Sequence, residues 1–129
     1  MPIKYEYDPN LNIVRCRPYG EVSTLEVGIY FKEILNDNGV RTDFVEVVHF
    51  ENVTNFLFSS DEASTITNAY NELKDEKKVR ATVFIGMADL HFGVARMMQI
   101  LFEINDPEHV VHVVRNEEEA DRVIKTTIG

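Results

Sequence analysis

Apolar and polar residues alternate along the chain in two different periods. Residues 3–7 (IKYEY) and 12–17 (NIVRCR) are short runs rich in β-branched and aromatic side chains. Asp8, Pro9 and Asn10 between them are turn formers, so a β-hairpin is predicted, ended by Gly20. Ser23 and Glu26 have the spacing of a capping box, in which each side chain satisfies the other's free backbone N–H. That box opens a predicted helix from about Thr24 to Asn36, with Val27, Phe31, Ile34 and Leu35 on one apolar stripe. Asn38-Gly39 supplies a left-handed stop.

Phe44 to Phe50 (FVEVVHF) is β-rich and nearly continuous in apolar residues, the pattern of a strand buried on both faces. A loop carrying Asn52 and Asn55 is predicted next, then a second capping box, Ser59 with Glu62. The helix behind it places Ala63, Ile66, Tyr70 and Leu73 on one face and frays into Asp75-Glu76-Lys77-Lys78. Residues 79–85 (VRATVFI) form a strand that Gly86 breaks. Leu90 to Ile104 is a long helix with one face of Val94, Met97, Met98, Leu101 and Ile104; Phe92, Ile100 and Phe102 widen it beyond what a half-buried helix requires. Pro107 ends that element, His109 to Val114 is a last strand, and Asn116 with Glu119 caps a helix using Ala120, Val123, Ile124 and Ile128. The order β-β-α-β-α-β-α-β-α predicts a single α/β domain spanning residues 1–129. Its five-stranded sheet is mostly parallel, with right-handed crossovers and an opening antiparallel hairpin.

Composition narrows the function more than the fold. The 129 residues are 44% hydrophobic and 27% charged, enough for one core without disulfides or long disordered tails. Lys and Arg total 13 against 22 Asp and Glu, a formal net charge of −9 that repels phosphate backbones and anionic lipid heads. No nucleic-acid or membrane partner is therefore expected. Cys16 is the only cysteine, which excludes an internal disulfide and suits a reducing, cytoplasmic location. No apolar run approaches the ~18 residues of a spanning helix, and the polar start MPIKYEYDPN lacks a signal-peptide pattern.

A search for chemistry finds no catalytic set, no cofactor motif and no metal site. The six glycines are scattered, so neither a phosphate loop nor a dinucleotide fingerprint can be written, and no G-x-S-x-G elbow occurs. His109 and His112 differ by an odd number and would point to opposite faces of one strand, and His91 has no ligand partner three or four residues away. Cys16 lies between Arg15 and Arg17, but strand alternation turns both arginines away from it, which leaves a small buried hydrophobe. Glu117-Glu118-Glu119 sits in a first helical turn, where carboxylates offset the helix dipole. The over-apolar Leu90–Ile104 helix admits three readings: a helix sandwiched in the core, a self-association face, or the wall of an apolar pocket lined by Phe92, Met97, Met98 and Phe102. Gly93 would allow a close helix approach, and Arg96 could pair with an acidic residue elsewhere.

Several strings resemble the STAS-like domains, the fold of the anti-sigma-factor antagonists, and a group of small stand-alone bacterial proteins on that fold. Tyr5, Asp8, Pro9 and Gly20 match the group's opening hairpin, while His49, Val53 and Thr54 stand where it carries a D-x-x-x-V-T-like string, with histidine replacing the aspartate. The most specific match is D-L-x-F-G-x-A-R-M at Asp89, Leu90, Phe92, Gly93, Ala95, Arg96 and Met97. Arg115, Glu119 and Ala120 match part of a C-terminal string, with Ile124-Lys125 replacing Trp-Leu. The resemblance implies a STAS-like fold and places Ser59, in Phe58-Ser59-Ser60-Asp61, at the phosphoacceptor position of the antagonists. Both flanks depart from that pattern, and a phosphate there would meet Asp61 and Glu62. The expectation is a non-enzymatic regulatory domain acting by protein–protein or small-ligand binding, as a homodimer, with Phe92, Arg96, Met97, Met98, Leu101 and Phe102 as interface or pocket candidates. The alternatives are a phosphoswitch at Ser59 and an apolar-ligand carrier.

Overall fold

The structure, a computed structural model, describes residues 3–128; the side chain of Ile128, expected on the last helical stripe, lies outside the described residues. Ile3–Asp8 (β1) and Ile13–Val22 (β2) form the hairpin, followed by Thr24–Asn36 (α1), Phe44–His49 (β3), Asn52–Phe56 (β4) and Ser64–Lys74 (α2). Val79–Ile85 (β5), Asp89–Asn105 (α3), Val110–Val114 (β6) and Glu117–Ile128 (α4) complete the chain. The strands lie in the order β1-β2-β3-β5-β6, with β4 added beside β2. Only β1 and β2 pair antiparallel; every other pairing is parallel. The single α/β domain with a mostly parallel sheet and an opening hairpin is as expected, but it has six strands rather than five.

The sixth strand follows from the length of β2. The first half of β2 pairs with β3 (Ile13 opposite Val45, Cys16 opposite Val48), and its far end, Tyr19 to Val22, pairs with β4. Gly20, read in the sequence as the end of that run, instead marks a change of partner: the register shifts between Gly20 and Glu21, and Gly20 takes a φ of 68°. Asn52 and Asn55, the supposed loop residues, are exposed on a short edge strand whose Val53 is buried.

Two helix ends also differ from expectation. The Ser23–Glu26 box forms in full, Glu26 N donating to Ser23 Oγ at 3.4 Å and Ser23 N to Glu26 Oε1 at 3.0 Å. At the other end of α1 no left-handed residue appears; Asp37 folds back and accepts from Gly39 N at 2.9 Å, so a side chain supplies the stop. The Ser59–Glu62 box also closes, but it holds an isolated turn, and α2 begins only at Ser64 with Ala63 as an N-cap that makes no side-chain bond.

The sheet divides the core in two. On one face, α1, α2 and α3 enclose Val14, Ile34, Phe44, Val48, Phe84 and Phe102; on the other, α4 covers Ile13, Val45, Val47, Val83 and Val114 with Ala120 and Ile124. Every residue of β3 is buried, as its apolar run implies, and each such Val or Phe contributes roughly 1.5–3 kcal/mol. The helix α3 lies against the end of β5 so tightly that a Cβ on Gly86 would stand 2.8 Å from the backbone of His91 and Phe92. The glycine of close approach is thus Gly86. At Gly93, where a close helix approach was expected, a Cβ would meet nothing within 4 Å, because it faces away from the core.

The two glycines should therefore respond oppositely to alanine. Gly86→Ala must displace backbone and is expected to cost on the order of 1–3 kcal/mol, whereas Gly93→Ala should gain roughly 0.5–1 kcal/mol of helix stability in the single chain, measured at submicromolar concentration. Urea denaturation of both variants checks this; equal effects would contradict the packing described for α3.

Candidate functional site

Alternate residues of β3 point toward the three-helix layer, which puts Glu46 between Phe44 and Val48 inside an apolar core, 5% exposed. A carboxyl there needs partners, and each neighbouring layer supplies one. Tyr30 of α1 donates to Glu46 Oε2 at 2.7 Å, and Thr82, directly opposite on β5, bonds Glu46 Oε1 at 3.1 Å. Thr82 Oγ1 also lies 3.0 Å from His109 Nε2, so a buried polar chain crosses the domain from Tyr30 to His109. The Tyr70 ring stacks on His109 at 4.5 Å with an interplanar angle of 5°, and Phe102 meets it edge-on. His109 Nδ1 is buried without a partner.

Thr82 has one proton to give, which couples the two ends of the chain. With Glu46 ionised, Thr82 donates to it and accepts from His109 Nε2–H, leaving Nδ1 a bare acceptor. With Glu46 protonated, Glu46 donates to Thr82, and Thr82 in turn donates to Nε2. Burial pushes the Glu46 carboxyl above its ordinary range, offset in part by the bonds from Tyr30 and Thr82. Burial likewise drives the His109 imidazole down to about 4, against the pull of Asp106. Cys16, buried beside Tyr30 and Glu46, has its thiol pushed well up, first by burial and then by Glu46. Arg15 and Arg17 turn away from it, to Glu117 at 2.8 Å and Glu6 at 3.4 Å.

Above this chain is a cavity of about 70 Å³, well over the roughly 10–15 Å³ that one water requires. Cys16, Tyr30, Glu46, Phe50, Phe56 and Met98 are among its walls, and Glu46 brings the one carboxyl. Of the pocket residues read from the sequence, Met98 and Phe102 line it. Phe92 and Met97 do not. Phe92 is half-buried beneath the Arg115 guanidinium, whose carbon is 3.8 Å from the ring centroid. Arg115 also donates to Met87 O at 3.1 Å and Asp89 Oδ1 at 3.3 Å. Leu101 is half-buried, and Ile104, expected on the packed face, is 74% exposed. Arg96 is exposed and makes no ion pair among the described residues, contrary to expectation.

Ser59 is exposed in the turn ahead of α2, its Oγ 3.2 Å from Glu62 Oε1, and the residue before it, Phe58, also lines the cavity. A second buried histidine, His91, donates from Nε2 to Val53 O at 2.8 Å and so ties α3 to β4. Arg15, His49 and Glu117 meet on the α4 side, with Arg15 Nη1 3.3 Å from His49 Nε2. The residues that the sequence reading missed are Tyr30, Glu46, Thr82 and His109. Their one visible signal is the glutamate in the middle of an otherwise apolar strand, FVEVVHF.

Element order, mixed sheet and helix placement define a SpoIIAA-like, that is STAS-like, α/β fold. The chain is similar to an uncharacterised protein of the DUF3478 family from Shewanella loihica PV-4, itself described as having a SpoIIAA-like fold. The TM-score is 0.57 at 13% identity, over 95% of this chain and 91% of that one. It is also similar to SpoIIAA, the anti-sigma factor antagonist, in its unphosphorylated form (TM-score 0.51, 15% identity, 94% of this chain and 96% of that). The phosphorylated form of SpoIIAA, the Bacillus cell fate determinant, gives a TM-score of 0.52 at 19% identity, over 94% and 98%. No family model matches the sequence, and no curated protein matches it. Among the described residues no helix is long and apolar enough to cross a membrane.

The buried chain has a pH signature. His109 is held neutral in the fold, its pKa lowered from 6.5 to about 4, so the folded state binds fewer protons than the unfolded state between those values. Stability is then full above pH 6.5 and falls as the pH drops toward 4, by on the order of 3 kcal/mol. Glu46 acts in the opposite sense: its raised pKa stabilises the fold below the ordinary value of 4.5, and this is lost as pH rises through the folded pKa. Urea midpoints measured from pH 4 to 8 should show His109→Gln flattening the acid limb. Glu46→Gln should gain on the wild type toward pH 8; parallel curves for all three proteins would contradict these assignments.

Proposed function

We propose that this chain is a non-enzymatic regulatory domain that works by binding a protein partner, with the cavity as a site where a small ligand sets its state. The observation that supports the first part is the likeness of nearly the whole chain to SpoIIAA, an anti-sigma factor antagonist. A regulator of this type needs a stable scaffold and an accessible surface, not an acid, a base and a nucleophile in one cleft. The test is reconstitution. Proteins retained on the tagged chain are purified singly, and stoichiometric binding without chemical change to either component is the expected result. Turnover of a small molecule by the purified chain would overturn it.

The ligand reading rests on the cavity, whose wall is almost wholly apolar. A small apolar guest matches that chemistry, its carbons meeting Phe50, Phe56 and Met98. Small hydrocarbons titrated into isotope-labelled protein should shift the methyl signal of Met98 saturably. Val94→Leu, adding a methylene at the cavity wall, should weaken that response; unsaturable or uniform shifts would count against a site. A phosphoswitch at Ser59 is the lesser reading, supported by the exposure of that hydroxyl beside Phe58. It requires one added phosphate on the intact chain after co-expression with neighbouring kinases, absent in Ser59→Ala.

A further inference from the structure

The helix α3 is anchored by His91, Ala95, Met98 and Phe102, which are all buried. At about 100° per residue, the opposite side carries Leu90, Gly93, Met97, Ile100 and Ile104 within an arc of about 80°. Leu90, Ile100 and Ile104 are 54%, 52% and 74% exposed, and Gly93 is exposed with open space around it. These positions recur every three and four residues, the spacing of a helix–helix seam and not of a solvated face. The 17-residue helix carries the seam along nearly its whole length.

Two charges flank the seam on one side. Arg96 and Glu103 are seven residues apart, both exposed, and neither makes an ion pair among the described residues. In a parallel pairing of two such helices, these positions would face Val94 and Leu101 of the other copy and leave all four charges unmatched. An antiparallel pairing with its two-fold axis between Met98 and Gln99 brings Arg96 of each copy to within two residues, about 3 Å along the axis, of Glu103 of the other, on the same side of the seam and within reach of these long side chains. The same register sets Met97 opposite Ile100 and the bulky, exposed Ile104 opposite the bare Gly93. Charge and shape select one register, and in it the surface is complementary to itself.

We propose that two copies of this chain associate through α3, antiparallel across a two-fold axis, with Ile104 of each seated at Gly93 of the other and Arg96 paired with Glu103. The partner is a second copy because the seam's notch, its projecting residue and both flanking charges are all present on one helix. The pairing does not depend on the cavity being filled, and it survives failure of the regulatory reading. It also gives the formal charge of −9 a role, since general repulsion between copies leaves only the register with local charge matching.

Light scattering of the full chain after size-exclusion chromatography tests this. The expected mass is about twice 14.9 kDa at micromolar concentration. Ile104→Asp and Ile100→Glu, both at exposed positions, should each give a monomer that keeps the wild-type circular-dichroism spectrum and melts lower only by the stabilisation that association supplied. Arg96→Glu should weaken association by about tenfold or more, and Arg96→Glu combined with Glu103→Arg should restore it. A wild-type chain monomeric up to about 100 μM overturns the proposal. So does a dimer that survives both isoleucine substitutions, and a charge swap that fails to restore association overturns the register.

Discussion

The carboxyl of Glu46 is the constraint around which the larger core is arranged. It enters that core because β3 is buried on both faces, so the side opposite α4 cannot offer it water. An unsatisfied buried polar group costs on the order of 1–3 kcal/mol, and more when charged. The fold meets this by drawing one hydroxyl from α1 and one from β5, and the second hydroxyl carries the chain on to His109. Three bonds therefore fix the angle of α1 on the sheet, the register of β3 against β5, and the entry into β6. The aromatic stack of Tyr70 on His109 adds α2 to the same unit.

This arrangement explains why the cavity lies where it does. Packing that keeps a carboxyl, a phenol and an imidazole at hydrogen-bond distance cannot also collapse onto every apolar neighbour. The space left over falls beside Glu46, under Phe50 and Phe56, the two rings that meet edge-on at 5.1 Å. Phe56 belongs to β4, which is held by the end of β2 and by His91. The roof of the cavity is thus built from an edge strand and the residues that follow it. Phe58, a wall of the cavity, directly precedes the exposed Ser59.

Elements whose signal is local were legible in the sequence. The hairpin, the Ser23–Glu26 box, the doubly buried β3 and the Asn116 cap each rest on a pattern spanning a few residues, and Glu119 N donates to Asn116 Oδ1 as that pattern implies. What was not legible depends on partners distant in the chain. Asn52–Phe56 has only one buried valine and becomes a strand because β2 continues past Pro18 to meet it. The Ser59–Glu62 box satisfies its own spacing rule yet fails to start α2, since nothing apolar at Ser60 to Glu62 packs against the core and Ala63 is the first residue buried. Glu46 was passed over because a buried strand was read for its apolar members, although the exception was the informative residue.

The helix α3 shows how one sequence feature divides between two roles. An apolar surface nearly all round suggested core, interface or pocket wall as competing readings, yet the inner arc takes the core and cavity while Leu90, Gly93, Ile100 and Ile104 of the outer arc stay exposed. The D-L-x-F-G-x-A-R-M string divides in the same way. Asp89 and Phe92 are occupied by Arg115 and Ala95 is packed, while Leu90, Gly93 and Arg96 are exposed. Arg115, from the other string that carries the STAS-like resemblance, thereby locks the start of α3 to the end of β6. With its first turn clamped and its inner face fixed by Gly86, α3 holds its outer face rigid, so a partner would meet it without an ordering cost.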